Sequence, residues 1–358
     1  MRLDWKAVLG IIITVLLLWW ALHGVPFGEV WIRIREADPW LLLASVAVAT
    51  AGFGVRALRW KVLLHPLRPG TAFRTRFAAV SVGFMANNVL PVRVGEFARA
   101  YALSRLEPVS ASGAFGTLVV ERALDGLTLL VFLLVAMMWP NFPGVGMAEG
   151  GSLRATVSAF ILLIGVMVVG ILVLFLYPRP FVRTAERAAT YLPEGLARLL
   201  VDALRAFLDA LEIVRSPRLL LAASAWTVGF WAFQAVSFWL GMAAFGIHLG
   251  YVAAVFTETV VGFFVAVPSA PGFFGTFHSG ARVALSGVYG VEQARALAFA
   301  FGYHLGGWIP ITAIGLWYAW QMGLSLGEVG RSEERVEHAV EEEHPEAARL
   351  LARGGKDG

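Results

Sequence analysis

The sequence contains no cysteine in its 358 residues. This absence excludes disulfides, thiolate nucleophiles, iron–sulfur clusters and zinc sites built from cysteine. The seven histidines are scattered along the chain, so no metal site is predicted. The sequence also lacks the patterns GxSxG, HExxH and GxxxxGKS/T that mark common hydrolases, metalloproteases and nucleotide-binding proteins. We therefore expect a protein that has no cofactor and is not an enzyme.

Charged side chains are scarce, at 15% of the residues, whereas hydrophobic side chains make up 58%. Soluble globular domains carry about 25% charged residues, so this composition excludes that class. The apolar residues form long runs, several of which reach the length of about 20 residues that a membrane-spanning helix needs. The sequence predicts an all-α, polytopic membrane protein with apolar runs at 7–21, 39–55, 77–91, 112–139, 155–177, 219–245, 251–267, 271–288 and 296–322.

The positions of the basic residues predict how the chain is oriented. Residues 56–76 carry six bases and no acid, and residues 178–218 carry seven bases. Because Lys and Arg accumulate on the cytoplasmic side, both segments are predicted to face the cytoplasm and anionic lipid headgroups rather than nucleic acid. Residues 140–153 contain no base and are predicted to lie outside. The N-terminus and an acidic tail, 327–358, are predicted to be cytoplasmic, in the cell (inner or plasma) membrane.

Two apolar runs are predicted to turn back inside the membrane. The orientation of the loops requires the run 77–91 to enter and return without crossing, with the helix interrupted at Gly83, Asn87, Asn88 and Pro91. Counting membrane crossings between the flanking loops in the same way requires residues 251–288 to turn back at 267–272. Two broken re-entrant hairpins that enter from opposite faces are typical of inverted-repeat transporters, whose site lies between the breaks.

The chain is predicted to have two regions and one interfacial helix. Residues 1–326 form the membrane domain, and residues 327–358 form a solvated or partly helical tail. Apolar side chains recur at helical spacing between 196 and 214, opposite a charged face. We therefore expect an amphipathic interfacial helix at about 181–216.

The first candidate cluster lies at the first break. A helix that restarts after Pro91 places Arg93, Glu96 and Arg99 on one face. Two guanidinium groups beside one carboxylate suit a lipid phosphate, because arginine binds phosphate in a bidentate manner. Asn87 and Asn88 are expected to line the path. The alternative is a ladder of salt bridges that anchors the end of the helix.

The second cluster comprises Glu121, Arg122 and Asp125 inside the run 112–139. Charges at this depth cost several kcal/mol unless they are paired or hydrated. They are expected to form a counter-charge or a proton-coupling element. The alternative is a buried ion network that fixes helix packing.

The third cluster follows the second break. A helix that begins near Gly272 presents free N–H groups and the positive end of its dipole, which together form an anion site. His278 and Arg282 are four residues apart on this helix and are expected to assist. The alternative role for His278 is that of a satisfied hydrogen-bonding partner.

Four motifs in this order resemble a known family. They are Arg56-x-x-Arg59-Trp60, Asn88-x-Leu90-Pro91-x-Arg93-x-Gly95-Glu96-x-x-Arg99, Glu121-Arg122-x-x-Asp125, and Pro268-x-x-Pro271-Gly272-x-x-Gly275. Over about residues 5–325 the chain resembles the lysylphosphatidylglycerol synthase transmembrane-region family, also called flippase-like domain proteins.

The resemblance implies a membrane domain that moves a lipid across the bilayer. It places Arg56, Arg59, Pro271, Gly272 and Gly275 among the substrate-binding residues. In multidomain relatives this region is joined to a cytosolic aminoacyltransferase domain, and this chain is expected to be a stand-alone member. Many relatives carry an acid where this chain has His278, which argues against a cationic lipid.

We therefore expect translocation or binding of a phospholipid or polyprenyl-phosphate-linked lipid between leaflets. A membrane-embedded headgroup transferase that uses Glu121 or Asp125 as base is the first alternative. The second is a non-catalytic accessory subunit of a separately encoded lipid-modifying enzyme. A translocator loses activity when its phosphate-binding arginine is removed, whereas a transferase changes the mass of the lipid.

Overall fold

A computed structural model describes residues 5–90, 93–140, 142–143, 216–267 and 269–343, and every regular element in these ranges is helical. Several sequence predictions concern residues outside this description: Pro91, Pro268, most of the loop 140–153, the run 155–177, nearly all of the basic segment 178–218 with the predicted interfacial helix, and the tail after residue 343. The helices are α1 (Trp5–Leu22), α2 (Phe27–Arg35), α3 (Pro39–Leu64), α4 (Phe73–Val89), α5 (Gly95–Leu106), α6 (Ala111–Met137), α7 (Pro217–Ala244), α8 (Tyr251–Ala266), α9 (Thr276–Ala281), α10 (Gln293–Gln321), α11 (Leu326–Gly330) and α12 (Ser332–Glu343). The all-α membrane architecture predicted from the sequence is confirmed.

Three described helices, α3, α7 and α10, are long and apolar enough to cross a membrane. A fourth span would consist of α1 and α2 together, which are bent by 81° at the break between them. The helix α6 is comparably long, with 27 residues, but it carries the charges of the second cluster. None of the apolar runs predicted from the sequence corresponds to α2. Arg33 of α2 forms an ion pair with Glu292 at the start of α10.

Side chains of the preceding residues fix the starts of two of these helices. Asp38 accepts hydrogen bonds from the N–H groups of Trp40 and Leu41 at the start of α3. Ser110 accepts one from the N–H group of Gly113 at the start of α6. Such N-caps satisfy backbone donors that have no partner within the helix. The caps therefore define where α3 and α6 begin.

The helices α4 and α5 form the first hairpin. Glu107, just after α5, accepts hydrogen bonds from Ala72 N (2.9 Å) and Thr75 Oγ1 (2.7 Å) at the start of α4. Near the turn, a Cβ atom on Gly83 would lie 2.6 Å from the carbonyl oxygen of Gly95. The two helices therefore run antiparallel. The helix α4 continues through Gly83, Asn87 and Asn88 to Val89, so it is interrupted later than the sequence predicted.

The second hairpin consists of α8, followed by α9 and its π-helical continuation, Arg282–Val288. A Cβ atom on Gly280 would lie 2.9 Å from Cα of Val261, and Phe256 contacts Tyr289. The break between these helices agrees with the sequence prediction. The re-entrant path through a bilayer and the inverted repeat stay predictions.

The structure corrects the prediction that the bases of residues 56–76 all face lipid headgroups. The helix α3 continues to Leu64, which places Arg56 and Arg59 inside it as buried residues. Arg76 is also buried and donates to the carbonyl oxygens of Ala57 and Thr71. The prediction failed because the positions of bases in a sequence do not distinguish a loop from a buried ion pair.

The acidic tail is also more structured than its composition suggested. Val329 and Val336 are each 1% exposed and join the apolar core that includes Trp60 and Leu103. The helix α12 packs against α5 and α6. As far as Glu343, the tail therefore covers one end of the membrane domain.

Close packing of α10 on α4 leads to a first prediction. A Cβ atom on Gly315 would overlap Cβ of Met85 and the carbonyl oxygen of Ser81, whereas Gly307, in the same helix, has no neighbouring atom within 4 Å of such a Cβ. We expect Gly315→Ala to destabilise the protein by about 1–3 kcal/mol, because overpacking forces the helices apart. Thermal unfolding in detergent measures the effect. Gly307→Ala is the control, and equal midpoints for both variants would contradict the packing.

Candidate functional site

Residues of the first three sequence motifs meet in one buried group of ions, here called the charge cluster. It consists of side chains from α3, α5 and α6, namely Arg56, Arg59, Arg99, Glu121, Arg122 and Asp125. Apart from Arg122, these side chains are almost fully buried. Four guanidinium groups face two carboxylates, so the cluster carries an excess of positive charge.

Glu121 lies at the centre of the charge cluster and has no solvent exposure. Its Oε1 atom lies 2.7 Å from Nη1 of Arg99, 2.8 Å from Nη2 of Arg59 and 2.8 Å from Nη2 of Arg122. Arg99 also donates to Oε2 at 3.1 Å, so this pair is bidentate. Charge-assisted, bidentate pairs of this kind are among the stronger polar contacts in proteins.

Asp125 lies one turn further along α6 and connects the charge cluster to α7. It accepts hydrogen bonds from both terminal nitrogens of Arg59 and, at 2.9 Å, from Nε1 of Trp231. Arg59 also donates to Thr227 of α7. Ion pairs therefore hold α3, α5 and α6 together, and hydrogen bonds with Thr227 and Trp231 attach α7.

Aromatic rings cover the guanidinium groups on their other sides. The ring of Trp60 lies 3.9 Å from Cζ of Arg99, and the ring of Phe230 lies 4.2 Å from Cζ of Arg56. A cation over an aromatic face gains electrostatic energy, which rises when water is excluded. These contacts compensate part of the cost of burying Arg56 and Arg99.

The geometry pairs Glu121 and Asp125 with the arginines of the charge cluster, and a counter-charge or proton-coupling role in transport stays a prediction. The geometry also corrects the expected role of Arg99. Both terminal nitrogens of Arg99 donate to Glu121 and the residue is 4% exposed, so it is not free to bind phosphate. Arg122, in contrast, keeps 43% of its side chain exposed.

Arg93 lies in the first break and reaches across to the second. The helix α5 begins at Gly95, so Arg93 does not share a helical face with Glu96 and Arg99 as predicted. Instead it donates to the carbonyl oxygens of Val265 (2.5 Å) and Ala266 (3.2 Å) and to Oγ of Ser269 (3.2 Å). The two breaks are therefore in direct contact.

The contact places a cation at the C-terminal end of α8, where carbonyl groups lack helical partners. No carboxylate lies within 4 Å of Arg93 among the described residues, and the side chain is half-buried. Glu96 interacts electrostatically with both Arg93 and Arg122, so these three residues occupy one neighbourhood. Arg93 and Arg122 are thus the cations of the candidate site that retain access.

Asn87 and Asn88 hold the first break in place and do not line an open path as predicted. Oδ1 of Asn87 accepts a hydrogen bond from the N–H group of Gly95 at 2.8 Å, which closes the turn. Nδ2 of Asn88 donates to Oγ1 of Thr312 on α10 at 2.8 Å. Both side chains are buried.

The third predicted cluster does not form an anion site. The helix begins at Thr276 instead of near Gly272, and Pro271–Phe273 form a single 3₁₀ turn. Gly272 and Gly275 have φ values of +71° and +85°, which favour glycine. A Cβ atom on Gly275 would lie 2.7 Å from the carbonyl oxygen of Thr14. These glycines shape the break and allow α1 to approach it.

His278 and Arg282 also point to separate neighbours. His278 is fully buried among Phe274, Phe301 and His304, and neither of its ring nitrogens has a hydrogen-bond partner among the described residues. Arg282 donates to the carbonyl oxygens that end α1 and to Gln293. The expectation that both assist an anion site is therefore wrong for this arrangement.

The sequence analysis missed one buried acid, Glu258 in the middle of α8. It is 3% exposed, and its Oε2 atom is buried and makes no hydrogen bond with any described residue. Its electrostatic partner is Arg56. The signal was present, because Glu258 is the single acid in the apolar run 251–267 and charges in such runs mark functional positions.

Comparisons with known proteins agree with the motif resemblance. A family model described as the lysylphosphatidylglycerol synthase TM region matches residues 7–315, so the chain belongs to this family. The chain is 30% identical over 156 residues to the glycosyltransferase AglD of Haloferax volcanii, which covers 42% of this chain and 24% of that protein. It is 39% identical over 82 residues to a UPF0104 membrane protein of Methanocaldococcus jannaschii, covering 22% of this chain and 24% of the relative.

A UPF0104 membrane protein of Methanothermobacter thermautotrophicus is 31% identical over 100 residues, which cover 27% of this chain and 30% of the relative. The chain thus spans only 24–30% of the length of these three curated relatives. No solved structure matches it.

The charge cluster leads to a second prediction. We expect Glu121→Gln to destabilise the protein by about 3–5 kcal/mol, because removing one partner leaves buried arginines uncompensated. Unfolding in detergent, followed by the fluorescence of the 13 tryptophans, measures the loss. Glu96→Gln is the matched control, since Glu96 is only partly buried and has no cation within 4 Å among the described residues. An unchanged midpoint for Glu121→Gln would contradict the role of the cluster.

Proposed function

We propose that this member of the lysylphosphatidylglycerol synthase TM-region family binds a phosphate-bearing membrane lipid through Arg93 and moves it between leaflets. The observation that carries the proposal is the position of Arg93. Its guanidinium group lies between two helix breaks, half-buried, and has no carboxylate within 4 Å in the described part of the chain.

A phosphate group would bind Arg93 more strongly than the main-chain carbonyl groups do. Carbonyl oxygens carry partial charge, whereas a phosphate supplies full negative charge in a geometry that matches the guanidinium group. Nε of Arg93 is buried and has no hydrogen-bond partner among the described residues, so one donor remains unused. Arg122 supplies a second, exposed cation in the same neighbourhood.

Binding of phosphate also provides a way to move the two hairpins. Arg93 links the first break to the end of α8, so a phosphate that takes over this guanidinium group releases the carbonyl groups of Val265 and Ala266. The charge cluster meanwhile keeps α3, α5, α6 and α7 fixed. Irregular backbone inside a membrane requires a protein-lined or water-filled surrounding, which suits a path for a polar headgroup.

The class of lipid follows from the charge of the site. Two accessible arginines and one glutamate favour an anionic headgroup, as in an anionic phospholipid or a polyprenyl phosphate. The name of one relative, glycosyltransferase AglD, raises the alternative of headgroup transfer. A transferase would change the mass of the lipid, which the same experiment detects.

The third prediction concerns leaflet exchange. In proteoliposomes with headgroup-labelled anionic lipids, we expect Arg93→Ala to slow exchange about tenfold or more, because hydrogen bonds to charged groups contribute about 1.5–3 kcal/mol. Arg295→Ala is the matched control, since Arg295 also donates to a carbonyl group, that of Gly246, but lies elsewhere.

Exchange by Arg93→Ala at the rate of the unmodified protein would contradict the proposal. Mass spectrometry of the lipids from the same vesicles tests the alternative. A lipid converted to a new mass without exchange would replace translocation with headgroup transfer.

A further inference from the structure

Glu258 is a buried acid for which the proposed binding site has no use. It lies on α8, is 3% exposed, and forms no ion pair within 4 Å and no hydrogen bond through Oε2 among the described residues. Glu121 and Asp125 are also buried, but each is held by several arginines. The three acids therefore differ in how firmly their negative charge is compensated.

The charged and titratable groups around Glu258 come from several helices. Those that interact with it electrostatically are Arg56 on α3, Tyr303 on α10 and Tyr251 on α8 itself. The oxygen of Tyr303 is hydrogen-bonded to Ser237. The other such groups on the elements packed against α8 are Glu121, Arg122 and Asp125 on α6, Arg218 in the first turn of α7, His278 on α9, and Arg282 and Tyr289 at the π-helical segment.

None of these neighbours gives Glu258 a close positive partner. An ionised carboxylate without such a partner is costly to bury, so the group takes up a proton instead. Arg56 is the nearest source of compensation, and it is the least firmly held arginine of the charge cluster. Its Nη1 lies 3.5 Å from Glu121 and 3.7 Å from Asp125, and makes no hydrogen bond with a described residue.

We propose that Glu258 binds and releases a proton during lipid translocation and so couples transport to a proton gradient. The inference rests on the function proposed above and deepens it. In the state described here, Glu258 is a neutral carboxylic acid. When it gives its proton to water, the carboxylate that remains attracts Arg56 away from the loose contacts with Glu121 and Asp125.

The position of Glu258 on α8 connects this step to the lipid site. Val265, whose carbonyl group accepts from Arg93, is seven residues further along the same helix, or about 10 Å at 1.5 Å per residue. Electrostatic attraction between Arg56 and ionised Glu258 therefore acts on α8, the helix whose C-terminal end contacts the first break. Uptake of a proton from water returns Glu258 to the neutral form and releases Arg56.

Infrared spectroscopy tests the protonation of Glu258 without any transport. The unmodified protein in lipid should show the carbonyl stretch of a buried, protonated carboxyl group that Glu258→Gln lacks. Glu292→Gln, which removes an exposed acid paired with Arg33, should keep this band. A spectrum identical in the Glu258→Gln variant and the unmodified protein would overturn the assignment.

Leaflet exchange under an imposed pH gradient tests the coupling and is the fourth prediction. We expect the gradient to change the exchange rate of the unmodified protein and of Glu292→Gln several-fold, whereas Glu258→Gln should exchange at one rate with and without it. Glu258→Asp, which keeps a titratable group, should retain the dependence and serves if the glutamine variant does not fold.

The outcomes separate the two proposals. Gradient-dependent exchange by Glu258→Gln would overturn the coupling and leave lipid translocation standing. A complete lack of exchange by the unmodified protein would overturn translocation together with its coupling, while the infrared result would still decide whether Glu258 carries a proton.

Discussion

The pairing of Glu121 with arginines from three helices is the interaction on which the described structure depends. A charge in a membrane-embedded core is tolerated when opposite charges and hydrogen bonds compensate for lost water. Arg59, Arg99 and Arg122 meet Glu121 at 2.7–2.8 Å, and aromatic rings lie against Arg59 and Arg99. Because these partners come from separate helices, the ion pairs fix α3, α5 and α6 relative to one another. The charge cluster is best understood as the rigid part of the protein.

Arg93 and Glu258 lack such compensation. Arg93 makes the contact between the two breaks, and Glu258 lies on α8, the helix whose C-terminal end accepts that contact. Arg93 binds main-chain carbonyl groups at the end of α8, and Glu258 lies in the same helix with Arg56 as its electrostatic neighbour. Groups that have only weak partners within the protein are suited to gain and lose external ones. The charge cluster holds its helices together, while Arg93 and Glu258 have no close partner of opposite charge among the residues that the structure describes. This combination suits the transport of an anionic lipid proposed above.

The sequence predicted the helical membrane class, the family and the presence of two helix breaks, because long apolar runs, prolines and glycines act locally. It did not predict that Arg56 and Arg59 are buried, since a base near the end of an apolar run has the same sequence pattern in a loop as in an ion pair. The role of Arg99 was also missed, because its partner Glu121 lies 22 residues away. Pairings of this kind arise from packing between helices, which a single sequence does not reveal.

Measuring the distance between the two breaks with and without lipid tests most directly whether a lipid phosphate displaces Arg93 from the end of α8. The chain has no native cysteine, so spin labels attached at Val89→Cys and Ala266→Cys report this distance without interference. Both positions are exposed and flank the contact made by Arg93. We expect an anionic phospholipid to lengthen the distance and a lipid without phosphate to leave it unchanged. A distance that is the same with both lipids would contradict this displacement.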